Sequence, residues 1–261
     1  MKIAVNGAAG AMGRRVIALI ALADDLALDS ALERADHPDL GKDAGIVAGI
    51  EEQGVPLTAE LQGKPDVLVD FSTPEATMRR VSDCAERGVP VVIGTTGLSA
   101  EHRQKIETEA AAQVAILIAA NMSVGINLLL RLVDWAARTL PAGYDVEITE
   151  AHHRRKRDAP SGTALELARV ICVALNRDAG VLRHGREGRV GPRPSEEVGV
   201  HAIRAGDIVG EHTVLFAGEG ERLELTHRAS SRDVFARGAL QAARFLVEKP
   251  PGLYSMQDAL P

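Results

Sequence analysis

A chain of 261 residues, 46% of them hydrophobic, is long enough for one large domain or two modest ones, each with its own core. A net charge of −6 and an aromatic share of only 3% deny it the overall positive field and the stacking surface that nucleic-acid binding draws on. Cys84 and Cys172 fall in apolar helical patterns and read as buried free thiols, no stretch is apolar for long enough to span a bilayer, and the first residues enter a strand pattern without a signal-peptide core, so a cytoplasmic protein is expected.

The first half alternates strand and helix. Residues 2–6 form a short apolar strand, residues 7–13 a glycine turn, and residues 14–23 a helix with Val16, Ile17, Leu19 and Ile20 on its buried side. A second strand covers 26–33, and a looser segment runs to about Gly63. Further strands at 66–71, 89–93 and 114–119 alternate with helices, one opened by Thr73-Pro74 and closed at Gly88, the next capped by Ser99. This alternation predicts a Rossmann-like, doubly wound parallel sheet. The pattern then changes. A helix at 124–139 is followed by a strand at 145–151 and a helix at 163–176. Residues 180–197, rich in Gly, Pro, Arg and Glu, read as a long mobile loop. Strands at 198–204, 208–217 and 222–228 read as successive and antiparallel, with a turn at 218–220. A last helix, 233–248, ends at Lys249-Pro-Pro-Gly252 and is expected to pack back on the first domain. The expected organisation is a dinucleotide-binding domain of 1–123 plus 234–261, with an inserted α+β domain at 124–233 that carries a mixed or antiparallel sheet.

Gly7, Gly10 and Gly13 lie between a strand and a helix, where a dinucleotide fingerprint sits, spaced G-x-x-G-x-x-G rather than G-x-G-x-x-G. Glycine lets pyrophosphate approach the amides, and the helix N-terminus favours its charge. Such a turn also serves as a plain tight connection. Glu33 adds weight because it stands about 20 residues beyond the last glycine, at the end of the second strand, where a carboxylate accepts from ribose hydroxyls. Arg34 follows and is placed to pair with a 2′-phosphate, so both NADH and NADPH are candidates; ordinary loop charge is the alternative for this pair. Gly94-Thr95-Thr96 and Ala119-Ala120-Asn121-Met122 follow two further strands at the carboxyl edge where doubly wound sheets bind ligands.

The densest chemistry lies in Glu150-Ala-His-His-Arg-Arg-Lys-Arg-Asp-Ala-Pro-Ser-Gly-Thr163. Two imidazoles and four cations stand beside a Ser-Gly-Thr that opens a helical pattern. The combination suits a small substrate with several carboxylates that must be held and protonated. A solvated basic face or a nucleic-acid patch is the bland reading, and the acidic chain and short, isolated run weigh against the latter. A metal site is disfavoured because adjacent strand residues such as His152 and His153 point to opposite faces and no further ligand pair stands nearby.

Together these motifs resemble the 4-hydroxy-tetrahydrodipicolinate reductase (dihydrodipicolinate reductase) family over essentially the whole chain. The carriers are Val5-Asn-Gly-Ala-Ala-Gly-Ala-Met-Gly-Arg14, Ile93-Gly-Thr-Thr-Gly97, Ala119-Ala-Asn-Met-Ser-Val-Gly125, Glu150-Ala-His-His-Arg-Arg-Lys156, Asp158-Ala-Pro-Ser-Gly-Thr-Ala-Leu165 and Arg204-Ala-Gly-Asp-Ile-Val-Gly-Glu-His212. The resemblance implies NAD(P)H-dependent reduction of a cyclic imine dicarboxylate in lysine and diaminopimelate biosynthesis. It implies His152 as proton donor or acceptor, Lys156 as proton donor, and His153, Gly162 and Thr163 as substrate contacts. It assigns Gly7, Ala8, Ala9, Gly10, Ala11, Met12, Glu33, Arg34, Gly94, Thr95, Thr96, Ala119, Ala120, Asn121 and Met122 to the cofactor. It also implies a homotetramer joined through the second domain's sheet. Arg155 stands where many members have a third His, and Met122 where many have Phe, so a proton role at 155 is not expected and cofactor preference is open at 122. Whether His152 or Lys156 makes the final proton transfer is not legible.

Overall fold

The computed structural model describes residues 1–260 and divides into two compact units, Met1–Val124 with Arg232–Pro261 and Gly125–Ser231. In the first, β1 (Lys2–Asn6) leads through the glycine turn into α1 (Ala11–Ala21), then β2 (Ala27–Leu32), α2 (Ala44–Ala48), β3 (Leu57–Thr58) and β4 (Val67–Asp70). There follow α3 (Pro74–Arg87), β5 (Val91–Ile93), α4 (Ala100–Lys105) with a π-turn over Ile106–Ala110, and β6 (Ala115–Ile118). The caps read from sequence are in place. Thr73 accepts from the Ala76 amide with Pro74 in the first turn, Gly88 ends α3 at φ +68°, and Ser99 accepts from the His102 amide. α1 already begins at Ala11, three residues before the start expected from the sequence, because Gly10 and Gly13 read as parts of the turn.

The second unit opens with α5 (Val124–Thr139), β7 (Asp145–His152) and α6 (Gly162–Ala174), whose N-cap is Ser161. A short 3₁₀ turn leads to β8 (Leu182–Arg183), then β9 (Val198–Arg204), β10 (Gly210–Ala217) and β11 (Arg222–Ala229). The strand order is β11-β10-β7-β9-β8, so the sheet is mixed. The expected antiparallel succession holds for β10 and β11 but fails at β9. β9 runs parallel to β7, and β10 pairs with β7 and β11 rather than with β9. Apolar alternation records which face a strand buries but not which neighbour it takes. The β7–α6–β9 crossover is what makes the pair parallel. Val146, Ile148, Val198, Val200, Val214 and Phe216 from one face of this sheet pack on Ile126, Leu129 and Val133 of α5 and Leu167, Ala168 and Ile171 of α6.

The loop at 184–197 is anchored rather than free. Arg193 donates to Asp145 (2.6 Å), Glu147 (3.0 Å) and the Val146 carbonyl (3.1 Å), and Arg186 bonds both Glu147 and Glu197. Burial pushes the Glu147 carboxyl up, but Arg186, His201 and Arg193 hold it at about 2. A Gly- and Pro-rich composition hides such pairing.

The chain then returns to the first unit with α7 (Asp233–Leu246) and β12 (Gly252–Tyr254), giving the seven-stranded order β12-β6-β5-β4-β1-β2-β3. Every pair in it is parallel. Alternate residues feed opposite faces. Ile3, Val5, Val67, Val69 and Leu117 meet α1 and α7, while Ala4, Leu68, Val91, Ile93 and Ile116 meet Val81 and Cys84 of α3 and Ile106. The last helix therefore packs on the dinucleotide-type sheet, as its sequence position implied. Among the described residues no helix is long and apolar enough to cross a membrane, and Cys84 and Cys172 are buried free thiols.

Candidate active site

Along β7 the even-numbered residues point toward the helices, so the phase that buries Val146 and Ile148 also carries Glu150 and His152 to that side. Glu150 is completely buried. Arg204 clamps its carboxylate at 2.7 and 2.8 Å, the Ser161 amide donates at 2.9 Å, and His152 Nδ1 lies 2.6 Å away. Burial pushes the Glu150 carboxyl up, yet Arg204, His152 and the Ser161 amide more than reverse this and leave it below the usual carboxylate range. An ionised Glu150 can only accept, so His152 Nδ1 is the donor. Burial in turn lowers His152 below the usual histidine value, against the upward pull of Glu150.

Lys156 is singled out from its basic neighbours by burial. Arg154, Arg155 and Arg157 are exposed, whereas Lys156 is partly buried in a turn closed by its amide on the His153 carbonyl (3.1 Å). Its Nζ sits 2.9 Å from Asp158, and that hydrogen bond is the main cause holding the Asp158 carboxyl below its usual range. At the start of α6 the Ser161 hydroxyl accepts from the Ala164 amide, while open space surrounds the position a Gly162 Cβ would take. His153 Nδ1 is buried and has no hydrogen-bond partner among the described residues. His152, Lys156, Gly162 and Thr163 thus gather around the carboxyl end of β7 and the N-terminus of α6, with exposed cations beside them.

His212 lies opposite Glu150 across the β7–β10 pair. Its Nε2 is 3.1 Å from Ser161 Oγ, and its ring meets His152 edge-on at 5.2 Å. Burial, with His152 nearby, pushes His212 down to about 4. The fold therefore holds this proton more weakly than the unfolded chain does. Stability is complete above about pH 6.5 and is lost as pH falls toward 4, by up to about 3 kcal/mol from this group. Denaturant unfolding of the wild type and of His212→Gln across that window should give a shallower pH slope in the variant. Equal slopes would contradict the assignment.

In the first unit the glycine turn has the close approaches a phosphate cradle requires. Gly7 adopts φ +77°, and its amide and that of Ala8 both donate to the Leu32 carbonyl at 3.0 Å. A Cβ on Gly13 would collide with the Gly7 carbonyl and come within 2.8 Å of Ala8 Cα. Gly10 is the N-cap of α1 and offers no side-chain acceptor, so nothing from its own cap covers the first amides at Ala11 and Met12. Glu33 stands just past β2, one carboxylate oxygen accepting from the Ala9 amide and the other from the Arg34 amide, each at 3.1 Å. Arg34 is exposed and pairs only loosely with Asp36, at 3.4 Å. Sequence reasoning passed over Arg14, whose Nε donates to the Ala9 carbonyl at 2.7 Å and so places a guanidinium on the turn.

Gly94 permits the Phe71 ring to lie across the end of β5, since a Cβ there would strike the ring. Two of the proposed contacts change character. The Thr95 hydroxyl is buried, donating to Asp70 at 2.8 Å and accepting from the Ser72 amide at 2.9 Å, whereas Thr96 is exposed. Met122 is only 2% exposed, and its side chain belongs to the apolar core. The Met122 side chain, assigned to the cofactor by resemblance, thus packs within the first unit's core. Ala119 and Ala120 precede it, and the Asn121 side chain accepts from the Ser123 amide at 2.9 Å.

Residues 1–122 match the family described as dihydrodipicolinate reductase, N-terminus, and residues 125–260 match dihydrodipicolinate reductase, C-terminus. The chain belongs to the dihydrodipicolinate reductase family. Similar curated relatives are the 4-hydroxy-tetrahydrodipicolinate reductases of Nitrosomonas europaea, 52% identical over 100% of this chain and 98% of the relative, and of Anaeromyxobacter sp. (strain Fw109-5), 50% identical over 100% and 97%. Among solved structures, a dipicolinate-bound dihydrodipicolinate reductase from Paenisporosarcina sp. TG-14 superposes with a TM-score of 0.80 at 27% identity, covering 100% of this chain and 99% of that one. An amine dehydrogenase from Mycobacterium smegmatis shares the fold at TM-score 0.63 and 14% identity. The enzyme is an oxidoreductase of this family, and its N-terminal unit is the family's NAD(P)H-binding domain. The family's Arg204–His212 motif, to which sequence reasoning gave no task, supplies two of the groups packed around Glu150.

Proposed function

We propose that the enzyme reduces 4-hydroxy-tetrahydrodipicolinate (dihydrodipicolinate) to tetrahydrodipicolinate, with NADPH or NADH, in lysine and diaminopimelate biosynthesis. The observation that carries this reading is the gathering of His152, Lys156 and the N-terminus of α6 at the end of β7. The dipicolinate in the related structure is a planar ring dicarboxylate, which supports a substrate of that class here.

A bound reduced nicotinamide supplies the hydride. The protein's own work is to hold two carboxylates and manage one proton. Gly162 and Thr163 present the start of α6 to one carboxylate, and His153 with the surrounding cations offsets the other. As negative charge builds toward the ring nitrogen, the Lys156 ammonium stabilises it and is placed to deliver the proton. His152, whose neutral form is favoured by burial, is suited to take up and return a proton beside it. On the nucleotide side, the Gly7–Met12 turn offers the Ala11 and Met12 amides to the pyrophosphate, Glu33 accepts from the ribose, and Arg34 meets a 2′-phosphate. The residues at 94–96 and 119–122 line the nicotinamide end.

We further infer a homotetramer formed through the five-stranded sheet, whose helix-free face exposes Ile203, at 48%. A cytoplasmic location is consistent with the two free thiols.

The function is tested by following NADH and NADPH oxidation anaerobically with freshly generated pathway intermediate. Substrate-dependent oxidation is expected, and its absence with both cofactors would overturn the reading. Dual cofactor use is tested separately. Arg34→Ala should raise the KM for NADPH about tenfold and leave that for NADH nearly unchanged. Equal effects on both would remove Arg34 from the 2′-phosphate.

A further inference from the structure

We propose that Glu150 is a positioning residue that fixes His152 in its Nδ1–H form and leaves Nε2 as the nitrogen that exchanges a proton, with Arg204 and the Ser161 amide holding Glu150 in place. This rests on the reading that His152 serves the reduction.

A carboxylate buried without exposure is costly unless every oxygen is paired, and here both are. Three of its partners come from three separate segments: Arg204 from β9, Ser161 from the cap of α6, and His152 from β7 itself. The i, i+2 spacing on one strand puts Glu150 and His152 on the same face, so the carboxylate reaches back to Nδ1. The remaining sides of the ring are bounded as well. His212 closes one edge. Gly210 opens the other, because a Cβ there would sit 3.1 Å from Nε2. Arg204 also donates to the Asp158 carbonyl at 2.6 Å, so the guanidinium that holds Glu150 also anchors the segment carrying Lys156's ion-pair partner. An orienting carboxylate behind an imidazole fixes which nitrogen carries the exchangeable proton.

The charged and titratable groups facing His152 are Glu150, Lys156, Arg204 and His212. Only Glu150 favours the protonated ring, while Lys156, Arg204 and burial oppose it. Removing the charge of Glu150 must therefore lower the pH at which His152 titrates, and an unpaired Arg204 would push it further the same way.

The test is nitrogen NMR of the free enzyme labelled in histidine, with the His152 signals assigned by their loss in His152→Gln. The wild type should show neutral His152 protonated on Nδ1. Glu150→Gln should lose that tautomer preference and titrate at lower pH. Its kcat should fall about tenfold or more, with NADPH affinity unchanged. Wild-type His152 protonated on Nε2 would overturn the proposal, whether or not the variant folds. So would a folded Glu150→Gln that keeps the wild-type tautomer and titration. Turnover of the wild type, measured in parallel, separates the outcomes: a pinned Nδ1–H without turnover leaves the positioning intact and sinks the functional reading instead.

Discussion

Lys156→Ala is expected to lower kcat on the order of 10²-fold or more while leaving the dissociation constant for NADPH nearly unchanged. The turn that carries Lys156 is closed on the His153 carbonyl, and its ammonium is the one partly buried cation in a run of exposed arginines. That ammonium is held by Asp158, so it is poised rather than freely solvated. Loss of a positioned donor removes both stabilisation of the developing charge and the proton itself, and a flexible neighbouring guanidinium replaces neither. Because the lysine lies in the second unit, the nucleotide site should not feel the change. His152→Ala should fall in the same range. Wild-type turnover in both variants would remove the proton roles, whereas a parallel loss of NADPH binding would place Lys156 at the cofactor.

Gly13→Val should damage the other half of the chemistry. Gly13 is not there for a special backbone angle. It lies within α1, and its missing side chain lets the helix press onto the turn, where a Cβ would collide with the Gly7 carbonyl and crowd Ala8. Those atoms are backbone, fixed by the double donation of Gly7 and Ala8 to Leu32, and cannot rotate aside. Relief requires α1 to back away. The expected cost is about 1–3 kcal/mol of stability, and the displaced turn should weaken NADPH at least about tenfold. Calorimetric titration with NADPH and thermal unfolding report the two effects. Unchanged affinity in a folded variant would show that the cofactor does not depend on this turn.

What the sequence shows and what it hides follow from the same physics. β1, β4, β5 and β6 were legible because strands buried on both faces must be continuously apolar. β3 and β8, at two residues each, are too short to display a period, and β12 begins at the glycine of a Pro-Pro-Gly break and carries no apolar run. The parallel placement of β9 escaped because alternation is the same whichever neighbour a strand adopts. At the site, residue type and spacing pointed to His152 and Lys156, but nothing in a string of letters distinguishes Lys156 from Arg155 by burial. Glu150 opened the most informative stretch, yet its task became visible only when Arg204 and His212 arrived from β9 and β10. The Glu-x-His spacing on a strand was the available signal, since residues two apart share a face. Met122 matches a motif position, yet its burial in the apolar core is not legible from residue type or spacing.

The proposed reaction stands on hydride passing from a nicotinamide to a ring dicarboxylate held beside His152 and Lys156. It is tested most directly with NADPH deuterated at C4 of the nicotinamide, freshly generated intermediate, and mass and proton NMR analysis of the product. The expected product is tetrahydrodipicolinate carrying one deuterium on a ring carbon, formed by the wild type and strongly slowed by Lys156→Ala. Product without deuterium from either face-labelled cofactor, or NADPH oxidation that yields no reduced ring, would contradict it.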